Sequence, residues 1–329
     1  MNFEQLTGFV EVARLSSFTR AAEELHLAQP SLSRQIASLE QDLGSELFHR
    51  ARTGSTLTPA GELLLPLARR MLADAESVRR ELAELAGLER GRVRFGATPT
   101  LCISLVAEVL HAFHAAHPAI ELHLAEDGSR SLFDRLARGE LDLALVTTST
   151  AAFGGAFTVT PLLVEELVVV SSAAEPPLTD GDALDLAAVA RLPQIVFNSS
   201  YDLRRTTDAA FSSAGLVPDV VLEGAEMDAV LRFAERGLGI AVVPAMVLQG
   251  RPGLRSIRIE EPDGPRLTRT ISLARPADLA PTAAVRVMQR TIAATARAFA
   301  AQAGGTMRVA EGTSPADGGV ARGQAAVDR

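Results

Sequence analysis

Between residues 60 and 87 the side chains Leu64, Ala68, Met71, Ala75, Val78, Leu82 and Leu85 recur at alternating steps of four and three. That is a heptad seam, the pattern by which one helix lays a narrow apolar stripe against another. At 1.5 Å per residue, about 28 residues make a rod of roughly 42 Å. One globular domain covers such a length only in part, so the rod separates an N-terminal head from a larger C-terminal part. Arg69, Arg70, Asp74, Glu76, Arg79, Arg80, Glu81 and Glu84 surround the seam, and its alanines let a partner come close. Thr58 and Pro59 supply a cap and a first helical residue. Pairing with a second copy is the favoured reading; a helix packed on its own domain also buries one face.

Ahead of the rod lie three short helical patterns. Leu6, Phe9, Val10 and Ala13 share one face of the first, which Ser16 and Ser17 interrupt. Thr19–Leu25 is the second, with Ala21 and Ala22 small enough for a crossing helix. Pro30 opens the third, where its missing amide costs nothing. There Leu32, Ile36, Leu39 and Leu43 form the buried stripe, and Gly44 supplies a left-handed end. The exposed side keeps Gln29, Ser31, Arg34, Gln35 and Ser38, with Ser33 at its edge. Such a helix suits a major groove: arginine donates twice to guanine, glutamine pairs with adenine, and serines reach phosphate or base. Phe48 anchors the next segment, and residues 50–58 read as a two-stranded wing tipped by Thr53–Gly54. Arg50 and Arg52 are its candidates for phosphate or minor groove. Residues 1–60 hold five arginines against seven acids, so bulk attraction to nucleic acid is weak and the placement of each charge decides.

Residues 16–61, SSFTRAAEELHLAQPSLSRQIASLEQDLGSELFHRARTGSTLTPAG, resemble the LysR-type family of transcriptional regulators. The match runs through Ser17–Phe18, Ala21–Ala22, Leu25, Gln29–Pro30, Leu32–Ser33–Arg34–Gln35–Ile36, Leu39–Glu40, Leu43–Gly44, Leu47–Phe48, Arg50, Leu57–Thr58 and Ala60–Gly61. The resemblance covers about residues 1–300. It implies a recognition helix from Gln29 to Ser38, a homodimer assembling into a homotetramer, and an inducer held between two lobes like those of a periplasmic binding protein. Thr53–Gly54 departs from the basic wing tip common in the family, and Ser31 stands where alanine is common. Residues 132–146, LFDRLARGELDLALV, and 237–247, GLGIAVVPAMV, match two further family stretches.

From Gly91 the pattern changes to alternation: strands at Arg92–Ala97, Ile120–Ala125 and Leu141–Val146, with helices at Leu101–Ala116 and Arg130–Arg138 between them. Pro161–Val170 continues as a long strand or crossover. A second block holds Gln194–Phe197, a helix 202–213, Val220–Glu223, a helix 226–235 and Gly239–Val243; Arg269–Ala274 and a helix Ala280–Ala301 come last. The alternation predicts mostly parallel sheets covered by helices. The expected fold is therefore α/β with a helical-plus-wing head. It comprises a winged helix-turn-helix at 1–60, a linker and dimerisation helix at 61–90, and a two-lobe sensing domain at 91–302. Lobe I is 91–162 with 268–302, and lobe II is 163–267. Residues 303–329, rich in glycine and alanine, are expected to be a disordered tail.

Ligands of such sheets sit beyond the carboxyl ends of the strands. Thr98, Thr100, Ser129, Thr148, Asn198 and Ser199 fall at those places, an uncharged rim suited to a carboxylate or other small anion; ordinary helix capping is the competing reading. No metal or catalytic cofactor is expected. His111, His114 and His117 lack an acidic partner at their spacing, and there is no nucleophile elbow, Walker loop or H-E-x-x-H. The single cysteine, Cys102, excludes an internal disulfide framework. No signal peptide or membrane span is read, which makes the cytoplasm the expected site.

Taken together these features predict a non-enzymatic regulator that binds double-stranded DNA under control of a small inducer or co-effector, with RNA polymerase as a further partner. The alternatives are a solute-binding protein lacking an export signal and a sensing domain with no DNA role.

Overall fold

The computed structural model describes residues 1–51, 54–85, 91–147, 154–199, 201–224, 226–260 and 266–310. Helix α1 (Phe3–Leu15) begins with a reciprocal cap. Gln5 N donates to Asn2 Oδ1 at 2.9 Å, and Asn2 N donates to Gln5 Oε1 at 2.8 Å. Helix α2 (Phe18–Glu24) is capped by Ser17. Helix α3 (Gln29–Leu43) takes Pro30 in its first turn and ends at Gly44 with φ +67°, a conformation glycine adopts without strain. Both α2 and α3 start one residue earlier than the sequence predicts.

Leu6, Phe9, Val12, Ala21, Ala22, Leu32, Ile36, Leu39 and Phe48 close the head's core. The α3 stripe is shorter than expected. Leu43 is 41% exposed, because the last turn of α3 runs past the packed core. Strands β1 (Phe48–Ala51) and β2 (Gly54–Leu57) pair antiparallel, Phe48 opposite Leu57 and Arg50 opposite Ser55, as the wing. Glu40 Oε1 accepts from Leu47 N at 2.8 Å and so ties the wing to α3.

The rod is α4 (Pro59–Leu85), and Gly61 N donates to the capping Thr58 Oγ1 at 3.1 Å. Its seam needs correction. Leu64, Leu65, Ala68 and Leu72 turn into the head's core, since α1 packs along the first turns of the rod. Leu63, Leu67, Met71 and Val78 are the large apolar side chains left in solvent among the described residues of the rod. The outward row is thus displaced by one residue at its start. The side chains of Leu82 and Leu85 lie outside the described residues.

In the sensing half, β3 (Arg92–Ala97) lies parallel to both β4 (Glu121–Glu126) and β5 (Leu143–Val146). Helix α5 (Pro99–Ala116) and helix α6 (Ser129–Ala137) cover opposite faces of that sheet. Helix α5 includes a π-helical stretch at Cys102–Val106. By length and composition it is apolar enough to cross a membrane, but Leu101, Leu105, Val106, Val109 and Phe113 are buried in the core.

Strand β6 (Phe157–Ser172) runs from one lobe into the other. The second lobe adds β7 (Ala183–Asp185), α7 (Leu186–Ala190), β8 (Pro193–Val196), α8 (Asp202–Ser213), β9 (Asp219–Glu223), α9 (Met227–Glu235), β10 (Ala241–Pro244) and β11 (Leu254–Glu260). Strand β12 (Thr268–Pro276) returns antiparallel to β6, with a register shift between Ile271 and Ser272. Helix α10 (Ala283–Gln302) then packs on the first lobe. The paired β6 and β12 are the two crossings expected between lobes. The predicted tail is corrected at its start: β13 (Met307–Val309) pairs with β6 at Leu163–Glu165, burying Met307 and Ala310. Residues 311–329 lie outside the described residues.

Candidate nucleic-acid interface and ligand cleft

The core of the head dictates which side of α3 is free. Gly8 of α1 sits so close that an added Cβ would meet Leu32 Cδ1 at 2.7 Å. With Leu32, Ile36 and Leu39 committed to that contact, Gln29 and Arg34 are left exposed, and Ser31 and Ser33 half-buried beside them. Gln29 Nε2 donates to Ser33 Oγ at 2.9 Å, and Arg34 Nη2 reaches Ser31 Oγ at 3.5 Å. These four side chains form one polar surface with only local bonds to break.

Two expected readers lie on its flank. Gln35 is half-buried beside Gly8, its Oε1 shut from solvent without a hydrogen-bond partner. Ser38 Oγ accepts from Gln5 Nε2 at 3.1 Å, which ties α3 to the first turn of α1. Arg50 belongs to β1 but its side chain, like the whole of Arg52, lies outside the described residues. Elsewhere in the head Arg14 is held by Glu11, and Arg20 donates to Leu15 O at 3.1 Å. Arg34 is therefore the available cation on the described surface of α3.

The second site is a cavity of about 680 Å³ between the lobes, within the 300–1,000 Å³ range of small-molecule pockets. Thr98 follows β3, Asp127 and Gly128 follow β4, and Thr147 follows β5. From the other lobe come Tyr201 and Asp202 after β8 and Glu226 after β9. The carboxyl ends of five parallel strands thus converge there, as the alternation predicts.

Sequence reasoning missed the cavity's principal donor. Arg269 on β12 is 7% exposed. Its Nε donates to Glu165 Oε2 of β6 at 2.9 Å and its Nη1 to Thr100 Oγ1 at 2.8 Å. Its Nη2 is buried without a partner, and so is Oγ1 of Thr98, which is 4% exposed. Buried polar atoms are nearly always satisfied, so two unmatched ones facing a cavity mark where a ligand belongs. Glu165 Oε1 in turn accepts from Met246 N of the second lobe at 2.7 Å. The sequence signal for this pair is an acid and an arginine, each within a strand pattern that buries its neighbours Val168 and Ile271.

Other expected ligand residues are placed differently. Ser129 is fully buried: its Oγ accepts from Thr147 N at 3.1 Å, and its N donates to Asp202 Oδ2 across the lobes at 2.9 Å. It supports the wall and does not line the cavity. Asn198 and Ser199 are exposed and outside the lining, because the chain turns Tyr201 and Asp202 inward instead. Thr148 lies outside the described residues. The expectation of an uncharged rim is also corrected, for Glu126, Asp127, Arg130, Asp134, Arg205 and Glu226 all line the cavity.

Tyr201 stacks on Phe197 with centroids 5.3 Å apart and donates to Glu226. Burial, then the hydrogen bond and charge of Glu226, then the charge of Glu126 push its phenol above its ordinary range. Burial, then the charge of Glu126 and a hydrogen bond to it, push the Cys102 thiol up to about 12.

Residues 3–62 match the family described as bacterial regulatory helix-turn-helix protein, lysR family, and residues 86–297 match the LysR substrate binding domain. The uncharacterized HTH-type transcriptional regulator YybE of Bacillus subtilis is 31% identical over 81% of this chain and 90% of its own. The nitrogen assimilation regulatory protein nac of Escherichia coli is 30% identical over 84% and 89% respectively. Among solved structures, a full-length OxyR variant of Pseudomonas aeruginosa superposes with a TM-score of 0.70 over 90% of this chain and 95% of its own. At 24% identity that likeness is one of fold.

Proposed function

The chain belongs to the LysR family of bacterial transcriptional regulators, and from that premise we propose how it reads DNA and senses a metabolite. It is a sequence-specific DNA-binding regulator with an effector-binding domain of two lobes. The recognition surface we assign is Gln29, Ser31, Ser33 and Arg34, entering the major groove with Arg34 on a guanine edge. Gln35 and Ser38 brace the helix from its flank, and Arg50 and Arg52 of the wing hold backbone phosphate. The supporting observation is the exposure of Arg34 on a helix whose other face is locked into the core.

In this reading residues 1–60 are the reader, 61–90 the dimerisation linker and 91–302 the sensor. Two copies pair along the outward row of α4 and present two readers to two half-sites. A tetramer of two such dimers uses the edge strands, where Leu124 on β4 and Val220 and Val221 on β9 stand in solvent. The regulator acts in the cytoplasm, and RNA polymerase is the machine it influences.

Effector enters the cleft at Thr98, Thr100 and Arg269, with Ser129 supporting the wall through its bonds to Thr147 and Asp202. Arg269 and Glu165 sit on the two strands that join the lobes, so satisfying Nη2 pulls on the hinge itself. The rod feels that movement through two contacts: Arg70 with Asp278, and Ala73 with Gly139.

Footprinting the full chain on genomic fragments that it captures tests the reading. Arg34→Ala is expected to abolish the protected site while the protein stays an oligomer. A protected site unchanged in position and affinity overturns the assignment of α3.

A further inference from the structure

The cleft is built with two poles of opposite character. At its floor, Arg269 Nη2 and Thr98 Oγ1 are buried donors without acceptors. Arg269 already shares its charge with Glu165, so the floor asks for a hydrogen-bond acceptor more than for a full counter-charge. Two unmatched donors on residues that line one cavity are what a carboxylate or similar oxygen pair can satisfy.

The walls ask for the reverse. Glu126, at the end of β4, and Glu226, just before α9, come from different lobes and both act on the phenol of Tyr201. Among the described residues neither has a cationic partner, nor do Asp127 and Asp134. Arg205 is bound to Asp202 and Arg269 to Glu165, which leaves Arg130 as the one unpaired cation of the described lining. A ligand carrying only negative charge would face this excess of carboxylate at close range, where like charges oppose binding.

We propose that the effector is amphoteric, an amino acid or related ω-amino carboxylate. Its carboxylate sits on Thr98 and Arg269, and its ammonium lies between Glu126 and Glu226, capped by Tyr201. This deepens, and rests on, the reading of the cleft as the effector site. Because one carboxylate comes from each lobe, the cationic nitrogen also draws the lobes together. A plain carboxylate fills the floor and leaves the lobes apart.

Calorimetry on the full-length protein, with thermal shift beside it, tests the inference. The probes are the twenty amino acids and ω-amino acids of three to six carbons, each against its deaminated carboxylate and its decarboxylated amine. At least one zwitterion is expected to bind about tenfold or more tighter than both of its truncated forms. Glu226→Gln should remove that advantage over the carboxylate, and Thr98→Val the advantage over the amine. Neither substitution should alter circular dichroism or affinity for DNA without effector.

Tighter binding of a plain carboxylate, sensitive to Thr98→Val and not to Glu226→Gln, overturns the amphoteric ligand and keeps the cleft as effector site. A preference for zwitterion unaffected by either substitution overturns the cleft assignment as well. Binding by none of the probes overturns the ligand class.

Discussion

Nη1 of Arg269 donates to the hydroxyl of Thr100 at 2.8 Å across 169 positions of sequence, joining the strand that re-enters the first lobe to the first turn of the helix after its first strand. The same guanidinium holds Glu165, which is wholly buried and also accepts from Met246 N of the second lobe. Thr100, Arg269, Glu165 and Met246 therefore form one chain of hydrogen bonds through the hinge. A charge taken that far from water is tolerated only while its partners are in place.

Removing either charge should be worse than removing both. Glu165→Leu is expected to lower unfolding free energy by about 3–5 kcal/mol, and Arg269→Met by a similar amount, since each strands the other's charge. Glu165→Leu combined with Arg269→Met should recover most of the loss. Urea denaturation of the three variants measures the coupling, and simple additivity would show that the pair is not a unit. Thr100→Val should cost about 1–3 kcal/mol, for it leaves a second buried donor unmatched.

Arg34 is exposed and contributes nothing to the core, so Arg34→Ala should leave the melting temperature unchanged. Its effect belongs on DNA. Loss of one bidentate arginine–guanine pair corresponds to about 1–3 kcal/mol of discrimination, or roughly 5- to 150-fold. Fluorescence anisotropy on the captured site and on scrambled duplex separates the two terms. Specific affinity should fall while non-specific affinity shifts far less. Equal losses on both duplexes would place Arg34 on phosphate instead.

Most of the fold was legible because its elements announce themselves by period. The strand pattern at Arg92–Ala97 matches the observed one residue for residue, and the spacing of Leu32, Ile36 and Leu39 located the hidden side of α3. Structure set by partners far away in sequence escaped. Strand β11, with Arg255 and Arg258 among its apolar residues, is held between β6 and β7. Strand β13 comes after two glycines and is ordered by β6. The cleft divides the same way. Thr98 and Thr100 were visible from their place after a strand, whereas Arg269 acquires its role only from Glu165, 104 positions away. Asn198 met every local criterion, yet the chain turns the neighbouring Tyr201 inward.

The rod offers a test of its corrected seam. Ala68 is wholly buried in the head, and the adjacent Leu67 is 49% exposed. Ala68→Asp should destabilise the head by several kcal/mol, because it buries an unpaired carboxylate. Leu67→Asp should leave the fold of the head intact and weaken self-association, since a charge at a paired apolar stripe opposes the partner. Sedimentation velocity with circular dichroism distinguishes the two. An unchanged dimer for Leu67→Asp would move the seam to another face of α4.

Cys102 lies beside the cleft, where a lone thiol invites a redox reading, and its surroundings argue the other way. The thiolate is the reactive form. Burial and the carboxylate of Glu126 both disfavour that form, and with the thiol pushed up to about 12 the group stays protonated throughout the neutral range. At pH 8 the thiolate fraction is about 10⁻⁴, against roughly a quarter for an unperturbed cysteine near 8.5. Alkylation by iodoacetamide in the folded protein should therefore run about 10³-fold slower than in urea, and keep rising with pH well past 9. Cys102→Ser should leave DNA binding unchanged with or without peroxide. Rapid labelling at pH 7 that levels off by pH 9, or a peroxide response lost in Cys102→Ser, would mean that the pocket stabilises the anion, contrary to the charge of Glu126.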